Sequence, residues 1–134
     1  MDNRKIGYIL TTGLVALAMG GSALGYLTGG MDEALAHLGY PKHFVVLLGT
    51  WKGLAALALA APAFPRLKEW AYAGLAFTFS GAIVAHLSAG DGIGSTIPPL
   101  VFLGLTAASW ALRPAHLTLA PAASEPSPMA RARA

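Results

Sequence analysis

Lys52 stands in the middle of "VVLLGTWKGLAALALAA", residues 45–61, an otherwise apolar run. At the centre of a membrane-spanning helix an unpaired lysine costs about 2.5–3.5 kcal/mol on insertion scales. Snorkelling does not relieve that cost, because about 13 Å of helix, at 1.5 Å per residue, separates Lys52 from either end of the run. Two roles are left: a tie to backbone carbonyls between helices, or a lysine lining a polar cavity. His86, in "FSGAIVAHLSAG", sits about one turn from the end of another apolar run. Helical side chains lean toward their own N-terminus, so in antiparallel neighbouring helices Lys52 and His86 lean toward each other. Such a pair could donate hydrogen bonds to a carbonyl or an anionic head group. Asp91 follows His86 closely and could pair with either cation. His43 and Lys42 open the run that holds Lys52. Trp51 and Thr50 flank Lys52, Thr78 and Ser80 lie deeper in the run of His86, and Tyr26, Tyr40 and Phe79 are candidate walls. A neutral Lys52 would be a base or nucleophile, and a charged one an anion anchor; the sequence leaves both open.

These side chains need helices to hold them. The chain has 134 residues, 55% hydrophobic and only 11% charged, and a mean hydropathy of +0.58. A soluble domain carries about twice that charge fraction, and a small domain cannot bury so much apolar surface. The expectation is an all-α integral membrane four-helix bundle, with the bilayer as its main partner. Four runs approach the roughly 20 residues needed to cross a hydrocarbon core: about 6–28, 43–61, 70–89 and 96–112. Pro41 introduces the second, Trp70 and Tyr72 open the third as interfacial anchors, and Pro98 and Pro99 open the shortest, the fourth. A signal peptide is the alternative for the first run, which is too long and has no convincing cleavage site.

Charge sets the expected orientation. One set of segment ends carries Arg4, Lys5, Arg66, Lys68, Arg113, Arg131 and Arg133, and the other only Lys42, with Asp32, Glu33 and Asp91. The bias places both termini in the cytoplasm by the positive-inside rule. "MDEALAHLGY" between the first two runs suits a short amphipathic helix. Residues 114–134, rich in Ala, Pro and Ser, read as a disordered tail. The basic residues are dispersed, which argues against nucleic acid as a partner.

Helices in lipid are held by close packing of small residues. Among the 16 glycines, Gly21, Gly25 and Gly29 share a face, as do Gly49 and Gly53. Gly74, Thr78 and Ala82 roughly share another. The expectation is packing within the bundle, with a dimer face as the alternative for one stripe. The sequence has no cysteine, which excludes disulfides and thiolate sites. It also has no GxGxxG, P-loop, GxSxG or HExxH pattern. His37 and His43 do not form a helical metal pair, so no metal site is expected.

Two stretches, "HLGYPKHFVVLLGTWKGLAALAL" (37–59) and "PRLKEWAYAGLAFTFSGAIVAHLSAGDG" (65–92), resemble the second- and third-span signatures of the DoxX-like family of small bacterial membrane proteins. The resemblance covers about 30–112. It rests on Gly39, Tyr40, Pro41, Gly49, Lys52, Gly53, Lys68, Glu69, Trp70, Ala71, Gly74, Gly81, His86 and Asp91. It implies a four-helix protein of the cytoplasmic membrane and little about activity. The wider family takes its name from a subunit of an archaeal thiosulfate:quinone oxidoreductase. Other relatives are linked to oxidative-stress complexes or, in animals, to receptor assembly. The absence of cysteine departs from redox relatives and argues against thiol or thiosulfate chemistry, but not against contact with a quinone. Three functions follow in order: a ligand site accessory to a quinone-linked oxidoreductase; a structural or assembly protein, working with itself or a membrane partner; and a transport component. The last lacks the paired broken helices of transporters.

Overall fold

The computed structural model describes residues 2–119, and among these there are helices and turns but no strand. Helix α1 spans Asn3–Leu27, α2 Asp32–His37, α3 Lys42–Ala60, α4 Pro65–Ser88 and α5 Ile97–Leu112. A 3₁₀ turn, Ile93–Thr96, leads directly into α5. Four helical stretches are long and apolar enough to cross a membrane: α1, α3, α4 and Ile93–Leu112. Large apolar side chains stand exposed along them, Leu17, Leu57, Trp70 and Phe77 among them. In water such a surface would aggregate; facing acyl chains it is a solvated surface.

Each boundary has a local cause. Asp2 caps α1, its carboxylate accepting from the backbone of Arg4 (3.3 Å), where a side-chain oxygen satisfies an orphan N–H. Proline opens α4 and α5, where its missing N–H is harmless. The third spanning helix therefore begins at Pro65, not near residue 70, and Arg66, Lys68 and Glu69 belong to its first turns rather than to a loop.

The spanning helices form a ring in which α1 packs against α3 and α5, and α4 against α5 and α3. Arg4 Nη2 donates to Ala111 O (3.2 Å), so the start of α1 and the end of α5 lie at one end of the bundle, the basic end. His37 and Asp91 meet at the other, the histidine end. The tightest seam is α1–α3. A Cβ on Gly49 would lie 2.6 Å from that of Tyr26, and one on Gly53 3.6 Å from that of Ala23. The Gly49/Gly53 stripe thus packs within the chain, as expected. The Gly74/Thr78/Ala82 stripe does not: a Cβ on Gly74 would meet nothing within 4 Å, and all three residues line a cavity. Small residues there leave room instead of closing on a neighbour.

The beginning of the expected disordered tail folds back on the bundle. Ala115–Leu117 forms a 3₁₀ turn and Leu117 is buried. Residues 120–134, including Arg131 and Arg133, lie outside the described residues.

Candidate functional site: a cavity in the α3–α4 seam

The α3–α4 seam is the loosest of the four, and a cavity of about 620 Å³ opens there, within the usual range for small-molecule sites. Ser22 and Tyr26 of α1, Lys52 of α3 and His86 of α4 line it, with Leu35 and Tyr40 at the histidine end. A second hollow of about 320 Å³ continues the seam toward Leu67 and Trp70. Both share Trp51, Lys52, Gly74 and Thr78. Trp51 and Phe77 line the cavity and are largely exposed on the apolar outer surface, so the seam opens sideways, onto the face that lipid would cover.

Lys52 is 9% exposed. Its ammonium donates to Ser22 Oγ (3.1 Å) and stands 4.1 Å from the centroid of the Tyr26 ring, within cation–π range. The close approach of Gly49 to Tyr26 sets this up, since α3 must lie almost on α1 for the ring to reach the lysine. Lys52 has no carboxylate partner among the described residues. It leans toward α1 rather than meeting His86 directly. The two line one cavity from different walls, and the expected direct convergence gives way to separate partners.

His86 owes its partner to a turn. Gly90 takes φ +78°, and the backbone bonds Asp91 N–His86 O (3.0 Å) and Gly90 N–Leu87 O (3.2 Å) complete a Schellman ending. The turn carries the Asp91 carboxylate back onto the last helical turn, where Oδ2 meets His86 Nδ1 at 2.6 Å. The other oxygen meets His37 Nε2 at 2.7 Å, tying α2 to α4. The hydrogen bond from His86, then that from His37, holds the Asp91 carboxyl below the usual carboxylate range. A second ending of the same kind, at Gly39 (φ +85°), joins Tyr40 N to Leu35 O (2.9 Å) and presents both side chains to the cavity.

The structure therefore brings together Lys52, His86 and Trp51 as cavity walls, with Asp91 behind His86. His43 is not part of the group: it is exposed on the first turn of α3 and does not line the cavity. The hydroxyls of Thr50 and Ser80 bond back to their own helix. So does that of Thr78. Ser22 and His37 are the residues missed from sequence; Ser22, the one serine in "MGGSALGY", is the available signal.

A second polar cluster at the basic end was also missed, because its charges read as topology signals. Lys68 is 1% exposed and donates to Ala58 O (3.2 Å) and Leu59 O (2.6 Å), satisfying the last carbonyls of α3. Arg113, 3% exposed, pairs through Nη2 with Glu69 Oε1 (2.6 Å) and donates through Nε to Trp110 O (3.1 Å). Its guanidinium lies 5.0 Å from the Tyr72 ring. Tyr72 OH, Ser109 Oγ and Thr12 Oγ1 complete the cluster through bonds of 2.7 and 2.6 Å.

Comparison with curated proteins and with solved structures gave no match. A family model for the DoxX-like family matches residues 10–109, starting well before the 30–112 region that carried the resemblance and taking in Ser22, Tyr26, Lys52, His86 and Asp91. The matched region spans most of the chain and all four apolar helices; the chain belongs to the DoxX-like family.

Proposed function

We propose that this protein binds a small hydrophobic ligand with a polar head, a quinone or lipid-like molecule, in the α3–α4 cavity. It would do so as an accessory of a quinone-linked oxidoreductase system in the bacterial cytoplasmic membrane, with both termini cytoplasmic. One observation carries the reading: a buried lysine, held by a single hydroxyl and an aromatic face, borders a cavity that opens toward lipid. A cation kept at membrane depth without a carboxylate is costly and is accounted for when a ligand oxygen completes its hydrogen bonds. Native mass spectrometry of the detergent-purified protein tests this. A retained amphiphile that is lost in Lys52→Ala and His86→Ala, with both variants folded, supports it; equal retention in both variants sinks it.

The bonds from Lys52 to Ser22 and Tyr26 also favour a second reading, in which the lysine is a structural tie within an assembly protein. That reading predicts a co-purifying protein partner and no bound small molecule.

A further inference from the structure

Both histidines bonded to Asp91 face an ionised carboxylate, and an ionised carboxylate only accepts. His86 must therefore donate from Nδ1 (2.6 Å), and His37 from Nε2 (2.7 Å). In a neutral imidazole with Nδ1 protonated, Nε2 carries a lone pair and accepts. No described residue bonds to His86 Nε2, and His86 lines the cavity. Lys52, on another wall of the same cavity, has the opposite character: an ammonium has three donors and no acceptor, and one of its donors is used by Ser22. His86 and Lys52 thus offer the cavity an acceptor opposite a donor, not donors on both walls as expected from the residue types alone.

We propose that the cavity selects amphiphiles whose head carries a hydroxyl together with a second oxygen. His86 Nε2 accepts the hydroxyl proton, and Lys52 Nζ donates to the other oxygen. This rests on the ligand reading above and narrows it to the quinol or phenol class, in preference to the quinone. A quinone head has only acceptors; it satisfies Lys52 and leaves the His86 lone pair facing a carbonyl lone pair. The apolar tail lies along the seam past Gly74 and Thr78 toward Leu67 and Trp70, where the second hollow continues the cavity. Asp91 is a positioning residue: it touches no ligand and acts by fixing the His86 tautomer.

The experiment compares anaerobic binding of a decyl-substituted benzoquinol and its benzoquinone to the full chain in nanodiscs. The quinol is expected to bind about tenfold tighter, the effect of one hydrogen bond gained in place of one repulsion. Asp91→Ala removes the acceptor that holds the proton on His86 Nδ1 and frees the ring to carry it on Nε2; the preference should then fall or reverse while binding persists. Nitrogen-15 NMR of the histidines at alkaline pH gives a ligand-free readout, with His86 protonated at Nδ1 in the native chain. Equal binding of quinol and quinone, an unchanged preference in Asp91→Ala, or a neutral His86 protonated at Nε2 overturns the inference and leaves the ligand reading standing. Failure of both compounds to bind overturns the inference, and absence of any retained amphiphile in the purified protein separately overturns the ligand reading.

Discussion

The basic end of the bundle and the α3–α4 seam hold buried cations in different ways. At the basic end Arg113 meets a carboxylate, backbone carbonyls and an aromatic face, and Lys68 caps the last turn of α3. Each of these two cations makes at least two hydrogen bonds to protein atoms. In the α3–α4 seam Lys52 has one hydroxyl, one ring and an adjoining cavity. The first pattern is what a stabilising tie requires, since a buried charge needs its hydrogen bonds met by the fold. The second leaves part of the task to something else. On the proposed reading, similar residue types separate into structural and ligand-facing roles by how completely the protein satisfies them.

Substitutions can break this contrast. Glu69→Ala leaves Arg113 buried without its carboxylate and should cost about 3 kcal/mol of stability, read by thermal unfolding in detergent, while Glu69→Gln keeps an acceptor and costs less. Gly49→Ala forces a Cβ to within 2.6 Å of that of Tyr26. It should cost about 1–3 kcal/mol by overpacking, whereas Gly74→Ala, which meets open space, should be neutral or stabilising by up to about 1 kcal/mol. Lys52→Met should change stability by less than about 1 kcal/mol yet lose ligand retention. A large loss of stability would place Lys52 with Arg113 among the structural ties.

The smallest effect concerns Asp91. Its carboxyl is held below the usual range, so its contribution to docking α2 is complete above the ordinary carboxylate value and is lost as pH falls through the lowered one. The protection factors of the α2 amides against hydrogen exchange should therefore be constant near neutrality and should fall in acid. Asp91→Asn should show weaker protection near neutrality and should converge with the native chain in acid.

Much of this arrangement was legible from sequence, and the gaps have physical causes. Apolar run length identified the four spanning helices, because hydrocarbon thickness fixes how many residues cross it. The lean of helical side chains placed Lys52 and His86 around one cavity. It did not reveal that Ser22 and Asp91 hold them apart, since a partner from another helix or from a turn depends on packing. Lys68 and Arg113 were read as charges at membrane boundaries; burial within the last turns looks the same in one dimension. Gly74, Thr78 and Ala82 were read as a packing face for a similar reason, because small residues permit either contact or space and the neighbouring helix decides.

The sideways opening between Trp51 and Phe77 changes what affinity means for such a site. A molecule arriving there has already left water, so its tail exchanges one hydrocarbon environment for another. The roughly 0.8 kcal/mol that each methylene contributes to leaving water is spent on partitioning and largely cancels between bilayer and protein. Chain length would set how much ligand the membrane stores, while discrimination falls to the few polar atoms at the head. Occupancy would then follow the mole fraction of ligand in the bilayer, and a modest intrinsic affinity would suffice to keep the site filled.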